Sequence, residues 1–124
     1  MTNIIKLHHA SLIVKDLARA LSFYQGVLGL EVEGSRPDLG YPGAWLILSH
    51  NQQIHLMEID NPDSESVRPD HGGRDHHIAF SVESIETLAQ SLETLNMPYT
   101  KSKSGRKALF CRDPDGNALE FIQS

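Results

Sequence analysis

The stretch "HASLIV" places Ala10, Leu12 and Val14 on one side of an extended chain and His9, Ser11 and Ile13 on the other, the period of a strand with two unlike faces. Sixty-eight residues further on, "HIAFSV" repeats the pattern, with Ile78, Phe80 and Val82 opposite His77, Ala79 and Ser81. The apolar sides are the ones a helix covers, so His9 and His77 are expected to face the other way, into a concave space. After each strand the period changes. Asp16 is an N-cap for Leu17, Ala20, Leu21, Tyr24, Val27 and Leu28, which recur at helical spacing until Gly29. Ser84 is the matching cap for Ile85, Leu88, Ala89, Leu92 and Leu95, with Pro98 beyond the end.

Three short strands follow each helix, at 30–36, 43–50 and 53–60 in the first half and at 98–102, 107–112 and 117–123 in the second. "DPDGN" at 113–117 reads as a tight turn, because Pro114 has a preset φ and Gly116 tolerates a positive one. The polar, Pro- and Gly-containing stretch 61–75 reads as a linker. The pattern predicts an α+β fold in which two β-α-β-β-β modules, approximately 4–60 and 76–124, form a cupped mixed β-sheet within a single domain spanning 1–124.

The last strands of the modules superpose as well. "QIHLME" and "ALEFIQ" align Ile54 with Leu119, His55 with Glu120 and Leu56 with Phe121, so that one polar residue interrupts an apolar run in each. Four side chains thus occupy equivalent places: His9 and His77 on the first strands, His55 and Glu120 on the last. A strand-end histidine by itself is an ordinary surface residue. Four donors at repeat-equivalent positions of the same parity are another matter, since a pseudo-twofold would bring them around one point in the concavity. Neutral imidazole nitrogen and ionised oxygen both donate lone pairs to a divalent cation, and the residue types suit zinc, nickel, iron or manganese.

Composition narrows the function. With 124 residues and 40% hydrophobic content the chain can build a core, and a formal charge of −5 gives no support for a nucleic-acid surface. The basic stretch "KSKSGRK" reads as a solvated loop. A single cysteine, Cys111, excludes an intrachain disulfide, and "MTNIIKL" has neither a long apolar signal region nor the start of an 18-residue apolar span. A cytoplasmic protein without membrane or nucleic-acid partners is expected.

"HHASLIVKDLARALSFYQGVLGLE", "DHHIAFSVESIETLAQSLETLNMPY" and "FCRDPDGNALEFIQ" resemble the vicinal oxygen chelate superfamily over nearly the whole chain. That superfamily includes glyoxalase I, methylmalonyl-CoA epimerase, fosfomycin-resistance transferases, extradiol dioxygenases and bleomycin-resistance proteins. The opening motif falls on His9, Leu12, Val14, Asp16, Leu17, Phe23, Tyr24 and Leu28-Gly29-Leu30, and the closing one on "DPDGN" and Glu120-Phe121. The resemblance implies that His9, His55, His77 and Glu120 bind one divalent metal ion per site, with Glu120 and His55 as catalytic candidates. It implies a substrate with two vicinal oxygens and a lyase or isomerase reaction of the glyoxalase type, in which a proton moves next to a metal-chelated carbonyl. It also implies a homodimer in which short members pair halves across chains.

Glyoxalase I has glutamate or glutamine where this chain has His55, and the epimerases have glutamine. His55 therefore either completes an N3O ligand set or stands beside the metal as an acid or base. Two alternatives accompany the resemblance. One is a ferrous-iron dioxygenase using His9, His77 and Glu120; the other is a drug- or metabolite-binding resistance protein. Among the neighbours, His8 and His76 are expected at strand ends on the opposite side, and His50 and His71 in solvent. Trp45 belongs either to the core or to the cavity wall, and Arg74, Arg106 and Lys107 are either surface charges or partners for an anionic group.

Overall fold

The structure is a computed structural model that describes residues 2–124. It divides between Pro62 and Asp63 into two compact units, and each has the same plan. In the first, strand β1 (His9–Val14) leads to a helical segment, then to β2 (Glu31–Val32), β3 (Gly43–Ile47) and β4 (Gln53–Glu58), in the sheet order β1-β4-β3-β2. The second runs β5 (His77–Val82), helix α2 (Ile85–Thr94), β6 (Tyr99–Lys101), β7 (Ala108–Arg112) and β8 (Ala118–Gln123), in the order β5-β8-β7-β6. These are the α+β modules that the hydrophobic pattern predicts. Each module closes its own four-stranded mixed sheet, and the first and last strands lie parallel at its centre and edge.

The expected caps form. The Asp16 carboxylate accepts from the Arg19 amide at 3.2 Å, and the Ser84 hydroxyl accepts from the Thr87 amide at 3.3 Å. Helix α1 (Leu17–Leu21) is shorter than its apolar period, because the turn from Ser22 to Val27 widens to i→i+5 bonding. This wide turn carries Phe23 and Tyr24, both buried, with ring centroids 5.1 Å apart and nearly perpendicular. Gly29, at φ +73°, ends it in the left-handed conformation, and the Leu30 amide reaches back to the Tyr24 carbonyl at 3.0 Å.

One face of each sheet holds the core. In the first unit Val14, Ala44, Leu46, Ile54 and Leu56 are buried with Ala20, Phe23 and Tyr24 of the helical segment. In the second, Leu109, Cys111, Leu119 and Phe121 share the corresponding face, with Ile85 and Leu92 of α2 also buried. Register explains the sorting. Leu12 pairs with Leu56 and Ser11 with His55, so His55 shares its face with Ser11 and His9 rather than with the core. The same logic pairs Ala79 with Glu120, on the face of His77.

Several expectations need correction. β2 has two residues rather than seven, because Gly34, Ser35 and Pro37 follow and the chain turns out of the ladder. β3 stops at Ile47, before a turn in which His50 and Asn51 take φ +60°. The stretch 63–75 is no free linker: it belongs to the second unit, where Gly72 lies so close to Ala118 and Phe110 that a Cβ would meet them at 3.3 and 3.5 Å. This packing buries Phe110, Ala118 and Glu120 on the face opposite the core. Among the described residues no helix is long and apolar enough to cross a membrane.

Burial, reinforced by the nearby Asp113 carboxylate, pushes the Cys111 thiol up to about 12. Thiolate is the reactive form, so iodoacetamide at about pH 8 should alkylate the native protein at least ~100-fold more slowly than the urea-unfolded chain. Equal rates would contradict the packing of β7.

Candidate functional site

The parallel pairing in each unit brings its two candidate residues together. In the first unit the His9 and His55 rings stack with centroids 3.9 Å apart and planes 11° apart, and Trp45 stacks on the far side of His55 at 4.5 Å. Trp45 is the register partner of His55, so it belongs to the site face and not to the core. The His55 Nε2 meets the Gln53 Oε1 at 2.8 Å. His8 is less independent than strand parity suggests: it precedes β1, and its Nδ1 lies 2.8 Å from the Nδ1 of His9. One nitrogen must carry the proton and the other must accept it.

In the second unit His77 and Glu120 form the corresponding pair. The His77 Nδ1–H donates to the Asp75 carbonyl at 2.8 Å, and its Nε2 faces the Glu120 Oε1 at 3.1 Å. Glu120 is only 3% exposed, on the inner strand β8. Its Oε2 accepts from the Arg106 Nη2 at 3.1 Å. Arg106 is therefore bound to the candidate site, although the sequence reads as easily as surface charge, and its side chain remains 57% exposed. Phe110, the register partner of Glu120, stands edge-on to His77 at 5.3 Å. It occupies the place that Trp45 takes in the first unit.

His71 is half-buried rather than in solvent. Its Nδ1 lies 2.7 Å from the Thr100 hydroxyl, and its ring packs edge-on against Phe110 at 4.8 Å. His50, Arg74 and Lys107 are exposed, as is His76, whose Nε2 lies 3.8 Å from Asp75. Asp75 and Arg112 make contacts beside His77 that periodicity could not reveal. The Asp75 side chain is 4% exposed and is held by Arg112 at 2.9 Å, by Arg68 at 3.4 Å and by the His76 amide at 2.8 Å. Burial opposes ionisation of this carboxyl, but the Arg112 hydrogen bond and its other partners outweigh it and hold the pKa below the usual carboxylate range.

Tested against a divalent ion, the donors fit by chemistry. His77 commits its Nδ1 proton to a backbone carbonyl, as metal-ligating imidazoles do, which leaves Nε2 converging on a carboxylate oxygen. Burial, with smaller contributions from His9, His8 and Arg36, pushes His55 down to about 4, so its ring is neutral at pH 7, the form that ligates metal. Among the described residues no group of three or more His, Cys, Asp or Glu is placed to hold a metal ion. The units thus present two pairs of donors.

Residues 6–121 match the Glyoxalase/Bleomycin resistance protein/Dioxygenase superfamily, and the chain belongs to that family. It is 31% identical over 125 residues to "Glyoxylase I 4" of Arabidopsis thaliana, covering 96% of this chain and 71% of that protein. It is 28% identical over 126 residues to lactoylglutathione lyase of Haemophilus influenzae, covering 97% and 93%. A glyoxalase family protein from Bacillus anthracis has the same fold, with a TM-score of 0.79 over 100% of this chain and 99% of its own, at 24% identity.

The depressed His55 has a consequence for pH. The unfolded chain protonates this ring near 6.5 and the folded chain only near 4, so the unfolded state binds more protons between those values and the native state loses stability as pH falls through them. In metal-free protein the His55 Cε1–H signal should stay fixed from about pH 8 to about pH 5, while the urea midpoint falls below about pH 6.5. Titration of His55 near its ordinary value would contradict the stacked arrangement.

Proposed function

We propose that this chain is a metal-dependent enzyme of the glyoxalase type, a lyase or isomerase that moves a proton next to a carbonyl of a small substrate with two vicinal oxygens. The observation that carries the reading is the His77–Glu120 pair, in which two lone-pair donors converge at 3.1 Å behind a fixed Nδ1 proton. The similarity to a glyoxylase I and a lactoylglutathione lyase supports the reaction class. Zinc, nickel, iron or manganese would be held by His9, His55, His77 and Glu120, and when bound it supplies Lewis acidity toward the two substrate oxygens.

The remaining work falls to the chain's own groups. Glu120 takes a proton from the carbon beside the carbonyl and returns it to the neighbouring position, while Arg106 steadies Oε2. His55, neutral and stacked, serves as a ligand; its lowered basicity supports that role over proton transfer. Trp45 and Phe110 set apolar ring surfaces beside the donors, Trp45 stacked on His55 and Phe110 edge-on to His77.

We further propose that both units act as one glyoxalase-like domain, 1–124, and that two chains form a homodimer. His9 and His55 of one protomer would then meet the His77 and Glu120 of the other. In support, each unit holds one pair of donors and no larger group exists among the described residues. A reducing cytoplasm suits the lone buried thiol.

Untagged protein should take up one divalent ion per chain, measured by mass spectrometry, and His77→Ala or Glu120→Ala should abolish uptake. The metal-loaded protein should isomerise methylglyoxal hemithioacetal. Oxygen uptake with a catechol in the ferrous form, without isomerisation, would move the assignment to the dioxygenase branch. After His9→Ala and His77→Ala subunits exchange, each heterodimer should regain about half the wild-type sites, because one of its sites then holds both lesions and the other none. No recovery on subunit exchange would refute the cross-chain arrangement.

A further inference from the structure

We infer that Arg112 and Asp75 are positioning residues that fix the imidazole of His77 for a divalent cation, a role that rests on the metal reading above. The His77 ring is held through its Nδ1–H, and the acceptor is a backbone carbonyl, that of Asp75. A carbonyl is only as fixed as the peptide that bears it. Asp75 ends the stretch packed over the site face of the second unit, and it is the Asp75 carboxylate that ties this peptide down.

Arg112 is the knot. Its Nη1 donates to the Asp75 Oδ2 at 2.9 Å and to the Gly116 carbonyl at 2.7 Å, and its Nη2 donates to the Pro69 carbonyl at 2.5 Å. One guanidinium therefore joins three pieces of chain: β7, from which it projects; the "DPDGN" turn that leads into β8 and Glu120; and the 69–75 stretch that leads into His77. Both donors of the pair are reached from the same side chain, His77 through Asp75 and Glu120 through the turn. The planar fork of arginine suits this, since it serves three acceptors in fixed directions where an ammonium on a flexible stem cannot.

The turn is itself held rigidly. The Asp113 Oδ1 accepts from the amides of Asp115 and Asn117, each at 2.9 Å, and the Asp113 amide donates to the Asn117 carbonyl at 3.0 Å. Among the described residues His9 of the first unit is held differently, since its Nδ1 faces the imidazole of His8 and not a carbonyl. Unit two is accordingly the preorganised half, and a cation should lose most when that preorganisation is removed.

The test uses the full-length protein with zinc, with affinity read by competition against a chromophoric chelator and the His77 Nδ1–H proton read by nitrogen-edited NMR of the zinc-loaded form. Wild type should show a protected Nδ1–H signal. Arg112→Met should weaken zinc binding by about 10–100-fold and remove that signal, as losses of outer-shell partners do. Arg112→Lys should fall between the two, because it keeps a charge for Asp75 but not the bonds to Gly116 and Pro69. Asp75→Asn, which preserves the backbone carbonyl, should change both readouts in the same direction. Circular dichroism establishes that each variant is folded, and if Arg112→Met is not, the other two variants carry the test. Folded variants that lose thermal stability but keep zinc affinity and the Nδ1–H signal would overturn the positioning role and leave the metal reading standing. Failure of wild type to take up zinc would overturn the metal reading and this role with it.

Discussion

Everything at the candidate site depends on one pairing: the first strand of each module lies parallel to its last. β1 with β4, and β5 with β8, are joined by a whole helix and two further strands, so residues 46 and 43 positions apart in sequence become same-face neighbours. Strand alternation then forces a division of labour. Val14 and Leu56 go to the core, and His9 and His55 go to the other face, without any side chain having to choose. A slip of one residue in this ladder would exchange donors for core, which is why the burial of Ile54 and Leu56 also enforces the direction of His55.

The duplication was legible because it preserves those constraints twice. Alternation in "HASLIV" and "HIAFSV", caps at Asp16 and Ser84, and polar interruptions at His55 and Glu120 all follow from local chemistry, and each appears where the pattern places it. What stayed hidden depends on contacts between distant segments. Nothing in the composition of 61–75 says that Gly72 packs against Ala118, because a Pro- and Gly-rich stretch has the same signature whether it is solvated or docked. Arg106 and Arg112 read alike as surface cations, and only the fold shows that one reaches Glu120 and the other Asp75. Trp45 was open between core and cavity until register set it opposite His55.

The two halves have diverged in how they hold their donors. The first keeps two imidazoles in an aromatic stack, and for His55 burial, with His9 and His8 beside it, favours the neutral form and so the lone pair. The second sets an imidazole against a buried carboxylate whose charge is balanced by Arg106, and anchors it through Asp75 and Arg112. A buried carboxylate without partners would be strongly unfavourable, and Glu120 has two, His77 at Oε1 and Arg106 at Oε2. The first half presents imidazole nitrogen alone and the second an imidazole nitrogen beside a carboxylate oxygen, donor types that each suit a borderline divalent cation.

The central claim is that these pairs make one site. X-ray absorption at the zinc edge of the loaded protein tests it most directly, because it counts the atoms around the metal without reference to activity. The account predicts a first shell with three imidazole nitrogens at about 2.0–2.1 Å and one carboxylate oxygen at about 2.0–2.2 Å, losing two nitrogens in the His9→Ala, His55→Ala double variant. A shell with a single imidazole in the wild type, unchanged in that variant, would mean that His77 and Glu120 bind zinc alone and that the halves do not combine.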